Sequence, residues 1–508
     1  MPRLASPVVS RIASAVLVAL LLPGCMALPS KQTLESVRGQ QNPADRTQRT
    51  ITNFTPALRC MDEMMFNNGT RDVTLMMEEL RDATQKVPVN ARDMMTSAIS
   101  DMTRRSRAVR LSVFGSDQGN LTQLLQLAQK TQPFAVLPEY NVRGSISQFD
   151  EDVRRQSASL GLLAQQAFGL RLANESRFSV LGFDAAMVRT ENMTLVPGVS
   201  SKNTTVIAKR DASAGDGQGR ILSASAVFSF SAARAEGTAQ AARNMVELAA
   251  VELVGKLIHA PYWQCLGTAD SHPEVQREIE DWFFSMSDDE RIVFIKQRLR
   301  QQRWFDGALD AVRSEPFETA LAAYRQALGQ AAQGPVDIEF FKRFVTQAAV
   351  PGPLARSAKT ALAPALVEPA ANPAAPVPPA LHVFVRPTAQ GHAEMQVLAA
   401  ISGYVYCYAQ DPATQAVRRI FPNRFVKDPH VDAGATVALP GSGNFQLDAT
   451  HRFACLHAPR EVYGDLPAAL RWGDFDDVKM AGFEPIRQAF AQASGKPVAL
   501  AMAQAVAR

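Results

Sequence analysis

Leu222-Ser223-Ala224-Ser225-Ala226-Val227-Phe228-Ser229-Phe230-Ser231-Ala232 is the stretch whose reading decides the architecture. Leu222, Ala224, Ala226, Phe228 and Phe230 recur at every second position and continue to Ala232. Ser223, Ser225, Ser229 and Ser231 fill most of the positions between, interrupted by Val227. A period of two belongs to an extended strand, because successive side chains point to opposite faces. One apolar face and one small polar face over about ten residues suit a tilted strand of a transmembrane barrel. On that reading the apolar set faces lipid and the serines face a lumen. A half-buried strand of a soluble sheet carries the same pattern, so periodicity alone leaves both open.

Working outward, residues 203–210 can pair antiparallel with this strand, joined by residues 211–219 with their three glycines. An earlier pair, about 157–172 and 178–188, is expected to form a second hairpin. Two hairpins from one chain cannot close a wide barrel, so such a barrel requires several copies. Further upstream, residues 72–79, 108–114 and 135–149 read as extended, and 91–102 and 121–130 as helical, an α/β alternation. Downstream, Ala242, Met245, Ala249, Leu253 and Leu257 fall near one stripe of a helix over 238–258.

The chain has 508 residues, 46% of them hydrophobic, so several domains with real cores are expected. A net charge of +4 argues against nucleic acid as the main partner. No apolar run after Leu22 is long enough for a membrane helix, so any crossing must use hairpins in a closed barrel.

The N-terminus has Arg3 and Arg11 and then an uncharged apolar run to Leu22, the form of a secretory signal too short to span a bilayer. Leu22-Pro23-Gly24-Cys25 resembles a bacterial lipobox, with Pro23 as a departure. That resemblance implies acylation of Cys25 after removal of residues 1–24, and Met26 in the next position implies the outer membrane. Acyl chains bind a bilayer at roughly 0.8 kcal/mol per buried methylene. Of the other cysteines, Cys60 and Cys265 bracket one expected domain, and Cys407 and Cys455 lie within another. Four cysteines in an oxidising compartment allow three disulfide connectivities, and four buried thiols are an equal alternative.

Residues 25–266 together resemble the CsgG/HfaB family of outer-membrane lipoproteins, which serve curli secretion and holdfast anchoring. The resemblance rests on element order, on Tyr140-Asn141-Val142-Arg143-Gly144-Ser145-Ile146, and on Met245 to Leu253 followed by Pro261-Tyr262-Trp263-Gln264-Cys265. It implies an α/β periplasmic domain with β-hairpins donated to an oligomeric transmembrane barrel. In the curli exporter a long loop after the first strand narrows the pore. The matching residues here, 81–90, are few and contain no aromatic.

Residues 271–345 resemble a small three-helix peptidoglycan-binding domain, carried by Phe305-Asp306-Gly307, Asp310, Phe317, Ala320, Tyr324, Gln326, Gly334 and Asp337. Ala311 stands where that pattern has a second glycine. The resemblance makes Phe305, Asp306, Gly307 and Tyr324 the candidate peptidoglycan contacts, with a helical spacer that keeps the core and binds no ligand as the alternative. Residues 381–456 resemble an uncharacterised bacterial envelope domain through Gly403-Tyr404-Val405-Tyr406-Cys407, Phe421-Pro422-Asn423 and Leu439-Pro440. That implies a β-sandwich-like fold and no chemistry.

The expected organisation is therefore a signal at 1–24, a tether at 25–51, an α/β domain with membrane hairpins at 52–267 and a small all-α module at 268–346. An Ala/Pro-rich linker at 347–380, a β domain at 381–464 and an Ala-rich helical tail at 465–508 follow. None of the seven histidines has metal-ligand spacing, and no GxSxG, Walker A or GxGxxG run opens a helix. No catalytic residue, metal or cofactor is expected. His451, Cys455 and His457 read as a chance cluster, and Asp288-Asp289-Glu290 as the acidic start of a helix. The expected function is an oligomeric outer-membrane channel that secretes or anchors surface-polymer subunits. Its partners are outer-membrane lipid, further copies of itself and peptidoglycan. The competing expectation is a periplasmic lipoprotein scaffold without a pore, and a cell-wall hydrolase is opposed by the lack of catalytic residues.

Overall fold

The computed structural model describes residue 52 and residues 54–113, 137–153, 176–210, 220–223, 237–347, 350–354 and 380–505. The acylation candidate Cys25 lies outside them, as do Ala224, Ser225, Ala226, Phe228, Ser229, Phe230 and Ser231. The expected strand at 157–172 lies outside as well.

The N-terminal domain is a mixed sheet under helices. Its strands are β1 (Val73–Met77), β2 (Arg81–Asp82), β3 (Val109–Val113), β4 (Tyr140–Val153), β5 (Ser176–Arg189), β6 (Leu195–Arg210) and β7 (Arg220–Ser223). They lie in the order β3-β1-β4-β5-β6-β7, with β2 beside β4. β1 runs parallel to β3 and β4, whereas β4 to β7 are antiparallel.

Helix α1 spans Thr55–Asn67 and α2 Ala91–Met102. Asn90 caps α2 by accepting from the Asp93 N–H at 3.2 Å, and Met94, Met95, Ala98, Ile99 and Met102 form its buried stripe. Helix α3 (Thr238–Leu257) is buried on nearly every side from Ala241 to Gly255. Such all-round burial follows from its place, since α3 lies between the sheet at β5 and β6 and the helices α1 and α2. Gly255 permits close approach of the next helix, α4 (Tyr262–Cys265), since a Cβ there would lie 2.4 Å from that of Tyr262. A disulfide between Cys60 and Cys265 ties α1 to α4, with Cα atoms 5.4 Å apart.

The pairing expected for residues 178–188 needs a correction. Their partner is not 157–172: they lie in β5, an inner strand bonded to β4 on one side and β6 on the other. Its Leu181, Phe183, Ala185 and Met187 are buried in the domain core. Ser223 pairs in register with Thr205, which with Val199, Ser201, Asn203 and Ile207 belongs to the buried face of β6. Leu222 pairs in register with Val206. The physical cause is that alternation reports one covered face without saying what covers it.

Four helices, where three were expected, follow: α5 (Pro273–Ser285), α6 (Asp288–Gln301), α7 (Glu315–Ala327) and α8 (Ile338–Thr346). Ser287 and Glu290 form a reciprocal capping box at the start of α6. Val275, Ile279, Trp282, Phe341 and Val345 join the N-terminal core, and Ile295, Leu299, Phe305, Phe317, Tyr324 and Phe344 form a second core. The module is thus fused to the first domain through shared apolar packing.

The C-terminal domain has two sheets. One contains β11 (Val417–Phe421), β10 (Gly403–Gln410), β15 (Arg452–Ala458) and β16 (Ala499–Gln504), with β12 (His430–Val431) on β10. The other contains β13 (Thr436–Leu439), β9 (His392–Ala399) and β14 (Leu447–Asp448), with β8 (Leu381–Pro387) on β9. Every residue of β10 is buried, because Val405, Cys407 and Ala409 face the core shared with the second sheet. Tyr404, Tyr406 and Tyr408 pack in the core under helix α9 (Phe483–Ser494). Cys407 and Cys455 are opposite each other and joined as a second disulfide.

The expected helical tail is a correction too. α9 stops at Gly495, which takes a left-handed conformation (φ 69°), and the chain returns as β16 along β15. Pairing with an open sheet edge overrides the helical preference of the alanines there. Among the described residues no sheet closes into a barrel, and no helix is long and apolar enough to cross a membrane.

Candidate functional site

Where the three modules meet, charge is buried in quantity. Asp72 sits between α1 and β1 in a left-handed conformation (φ 58°), which an Asp tolerates better than most residues. Its carboxylate accepts from the Arg419 guanidinium at 2.7 Å and from the Asp474 N–H at 2.9 Å. Arg419 and Asp474 are both fully buried. Asp474 also accepts from Arg424 Nη2 at 2.7 Å and Nε at 2.9 Å, and from Arg110 of β3 at 2.9 Å. Arg471 lies over the Phe66 ring at 3.7 Å and Arg107 over Trp472 at 4.0 Å. These contacts join the N-terminal domain to the β domain by paired, hydrogen-bonded charges.

The helical module joins through α6. Arg300 donates to Asp428 at 2.7 Å and to the Gly307 carbonyl at 3.1 Å. Arg303 reaches the Glu461 carbonyl at 2.7 Å and Asp465 at 2.9 Å. Glu461 accepts from the Tyr406 hydroxyl and, at 2.9 Å, from the Tyr463 N–H. Between these surfaces lies a cavity of about 550 Å³, walled by the end of α1, the segment after α3, one face of α6, and the 427–428 and 461–464 loops.

Burial alone would raise the Glu461 carboxyl, but Arg71 and Arg300 outweigh it and hold it below its ordinary value. Burial likewise opposes ionisation of Asp474, and Arg424 overcomes it, so its value also falls. Asp476, which pairs with Arg110 in the same junction, goes the other way, because burial raises it. Burial also raises Glu252 of α3, despite its bonds from Ser201 at 2.6 Å and Asn203 at 2.7 Å, and Glu278 of α5. Ionised Asp474 and Glu461 therefore support the folded junction above an ordinary carboxyl pKa of about 4. That support is lost as pH falls from there toward their depressed folded values. Glu252 and Glu278 instead gain by protonation as pH falls through their raised values. Acidification is expected to release the β domain before the N-terminal sheet melts. Small-angle scattering should show expansion at a pH where far-ultraviolet dichroism is still native. Simultaneous loss of both signals would contradict this.

The residues singled out for peptidoglycan fare unevenly. Tyr324 is fully buried and Phe305 nearly so, both in the core of the helical module. Asp310 pairs with the buried Lys296, and Asp337 caps α8 by accepting from the Phe340 N–H at 2.8 Å. Asp306 is exposed, and Gly307 presents its carbonyl to Arg300. The pattern is thus spent largely on the module's own packing and does not assemble a groove through Phe305 and Tyr324. Cys455 is consumed by its disulfide and has no thiolate to offer a metal beside His451 and His457. Among the described residues no group of three or more His, Cys, Asp or Glu side chains is placed to hold a metal.

The junction itself was missed by sequence reasoning. Its members are scattered from Asp72 to Asp476, and each alone reads as an ordinary surface charge. The only local signal is Arg418-Arg419 inside an otherwise strand-like run.

Residues 392–455 match the family model of a domain of unknown function, DUF4384. The matched part begins in β9 and ends in β15, so it includes Arg419, Arg424 and Asp428 but not Glu461 or Asp474. No curated protein matches the chain.

Proposed function

We propose that this chain is a lipid-anchored envelope protein whose N-terminal domain assembles into an outer-membrane ring that secretes or anchors a surface polymer. One observation carries the reading. Val153 pairs with Phe178, Ser176 with Arg210, and Ala208 with Arg220, so β4 to β7 all reach one end of the sheet. Residues 154–175 and 211–219 both connect strands at that end. A domain donating two hairpins to a common barrel needs this arrangement. The Cys25 lipobox and the alternation over 222–232 agree with it.

The segment at 81–90 supports an open channel. Asp82 accepts from the Thr84 N–H at 2.9 Å and the Val87 N–H at 2.6 Å, folding these residues into a tight turn against β4. Such a turn has no length to project into a lumen. Detergent-extracted protein should run as a heat-sensitive ring and give large, weakly selective steps in planar bilayers. A monomer without conductance would overturn the pore.

Charge placed on the lipid-facing set is expected to cost assembly. Phe228→Lys carries a penalty of roughly 2–4 kcal/mol near the bilayer midplane, and Ser229→Lys, on the alternate face, far less. The yield of membrane-extracted ring measures the difference, and equal behaviour of the two variants would exclude a barrel strand.

A second reading, a scaffold without a pore, is favoured by the junction. Three modules joined by paired charges suit a scaffold that holds partners in the periplasm. The same extraction and conductance measurements separate the two readings.

A further inference from the structure

Among the described residues, one cation lining the junction cavity has no carboxylate partner. Arg71, Arg300, Arg303 and Lys427 line it, and each has an acid beside it. Arg300 has Asp428 at 2.7 Å, Arg303 has Asp465 at 2.9 Å, an acid it shares with Arg460 outside the cavity lining, and Lys427 has Glu139 at 3.3 Å. Arg71 lies over the Tyr463 ring at 4.6 Å, in the field of Glu461. Arg298 has no carboxylate partner among the described residues. Its guanidinium donates to the His259 carbonyl at 2.9 Å and lies 5.3 Å from the Phe294 ring centre.

The surroundings of Arg298 do not compensate its charge. Burial lowers its pKa to about 10, so it stays charged at neutral pH at a cost. Burial, then Arg298 itself, lowers His259 to about 4, so that imidazole is neutral. Around this cation the wall offers the side-chain amides of Asn67, Gln297 and Gln301, and the apolar surfaces of Leu257, Val293 and Phe294.

We propose that this cavity is a binding site for a short peptide or acylated amino acid that ends in a free carboxylate, with Arg298 as the carboxylate's partner. One negative group matches Arg298, the lining cation without a carboxylate partner among the described residues, whereas a phosphate dianion would place a second negative charge beside Asp428, Glu139 and Glu461. The geometry of a guanidinium suits bidentate carboxylate recognition. Amides suit the peptide groups behind the carboxylate, and about 550 Å³ falls within the range usual for small-ligand sites. This site depends neither on a pore nor on the oligomeric state.

The test uses the full-length protein and a matched pair of probes, N-acetyl-alanyl-alanine and its C-terminal amide, in titration calorimetry. The acid is expected to bind with a dissociation constant on the order of 0.1–1 mM, and the amide at least about tenfold more weakly. Arg298→Gln should abolish the preference, and Arg298→Lys, which keeps the charge but not the fork, should retain part of it. If Arg298→Gln fails to fold, the acid-to-amide comparison on wild type still decides. Equal binding of acid and amide, absence of binding by both, or tighter binding of inorganic phosphate than of the acid would each overturn the proposal.

Discussion

Asp72→Ala is expected to lower the stability of the folded chain by about 3–5 kcal/mol, because it leaves the Arg419 guanidinium buried without its counter-charge. Arg419 is fully buried and donates to Asp72 at 2.7 Å. Its other partners, the carbonyls of Pro422 and Trp472, are neutral. Burial opposes the Arg419 charge and Asp72 offsets that burial in the intact protein; a guanidinium does not give up its proton in a protein, so the loss of Asp72 is not rescued by neutralisation. An alanine in place of Asp72 would also be held in a left-handed backbone conformation, so Asp72→Asn is the cleaner partner variant, keeping both shape and tolerance of that conformation. Denaturant titration checks the loss. The double variant Asp72→Asn with Arg419→Met should cost clearly less than the sum of the two single changes, since it removes both charges together. Strict additivity would show that the pair does not hold the domains together.

Removing the Cys60–Cys265 bond is the second large effect. The bond closes a separation of 205 residues, and on the chain-entropy account a loop that long is worth up to about 5 kcal/mol. It also fixes α4, whose Tyr262 and Trp263 are buried between α3 and α5 side chains such as Trp282. Cys60→Ala with Cys265→Ala should therefore melt well below wild type in a thermal scan. Wild type under reducing conditions should move toward the same value. An unchanged melting temperature in the double variant would show that apolar packing alone holds α4.

Several elements were legible because a local rule dictated them. The helix over 91–102 has an Asn before it and apolar residues at helical spacing, and it appears with those bounds as α2. The stripe from Ala242 to Leu257 predicts a helix over 238–258, and α3 fills it to Leu257. Residues 72–79 and 108–114 contain β1 and β3. Asp288-Asp289-Glu290 opens α6 as its charges suggest. Elsewhere the local rule was outvoted. Alanines 499, 501 and 503 have helical preference, but an unpaired edge of β15 was open to them and they became a strand. Residues 178–188 alternate as a half-covered strand does, and the cover is α3.

By itself the sequence determined where apolar periods run, where helices start, and that an α/β region is followed by a β-rich one. These are properties of neighbours in the chain, and spacing of a few residues encodes them. The tertiary structure alone decided which cysteines are joined, that the tail completes a sheet, and that four connecting strands share one end. It also decided that Asp72, Arg110, Arg419 and Asp474 bond to one another and that Arg300 and Glu461 line a cavity. Ion pairing has no sequence period. It is fixed by which surfaces meet once the cores are packed, and partners separated by 347 residues, such as Asp72 and Arg419, are brought together only by the fold.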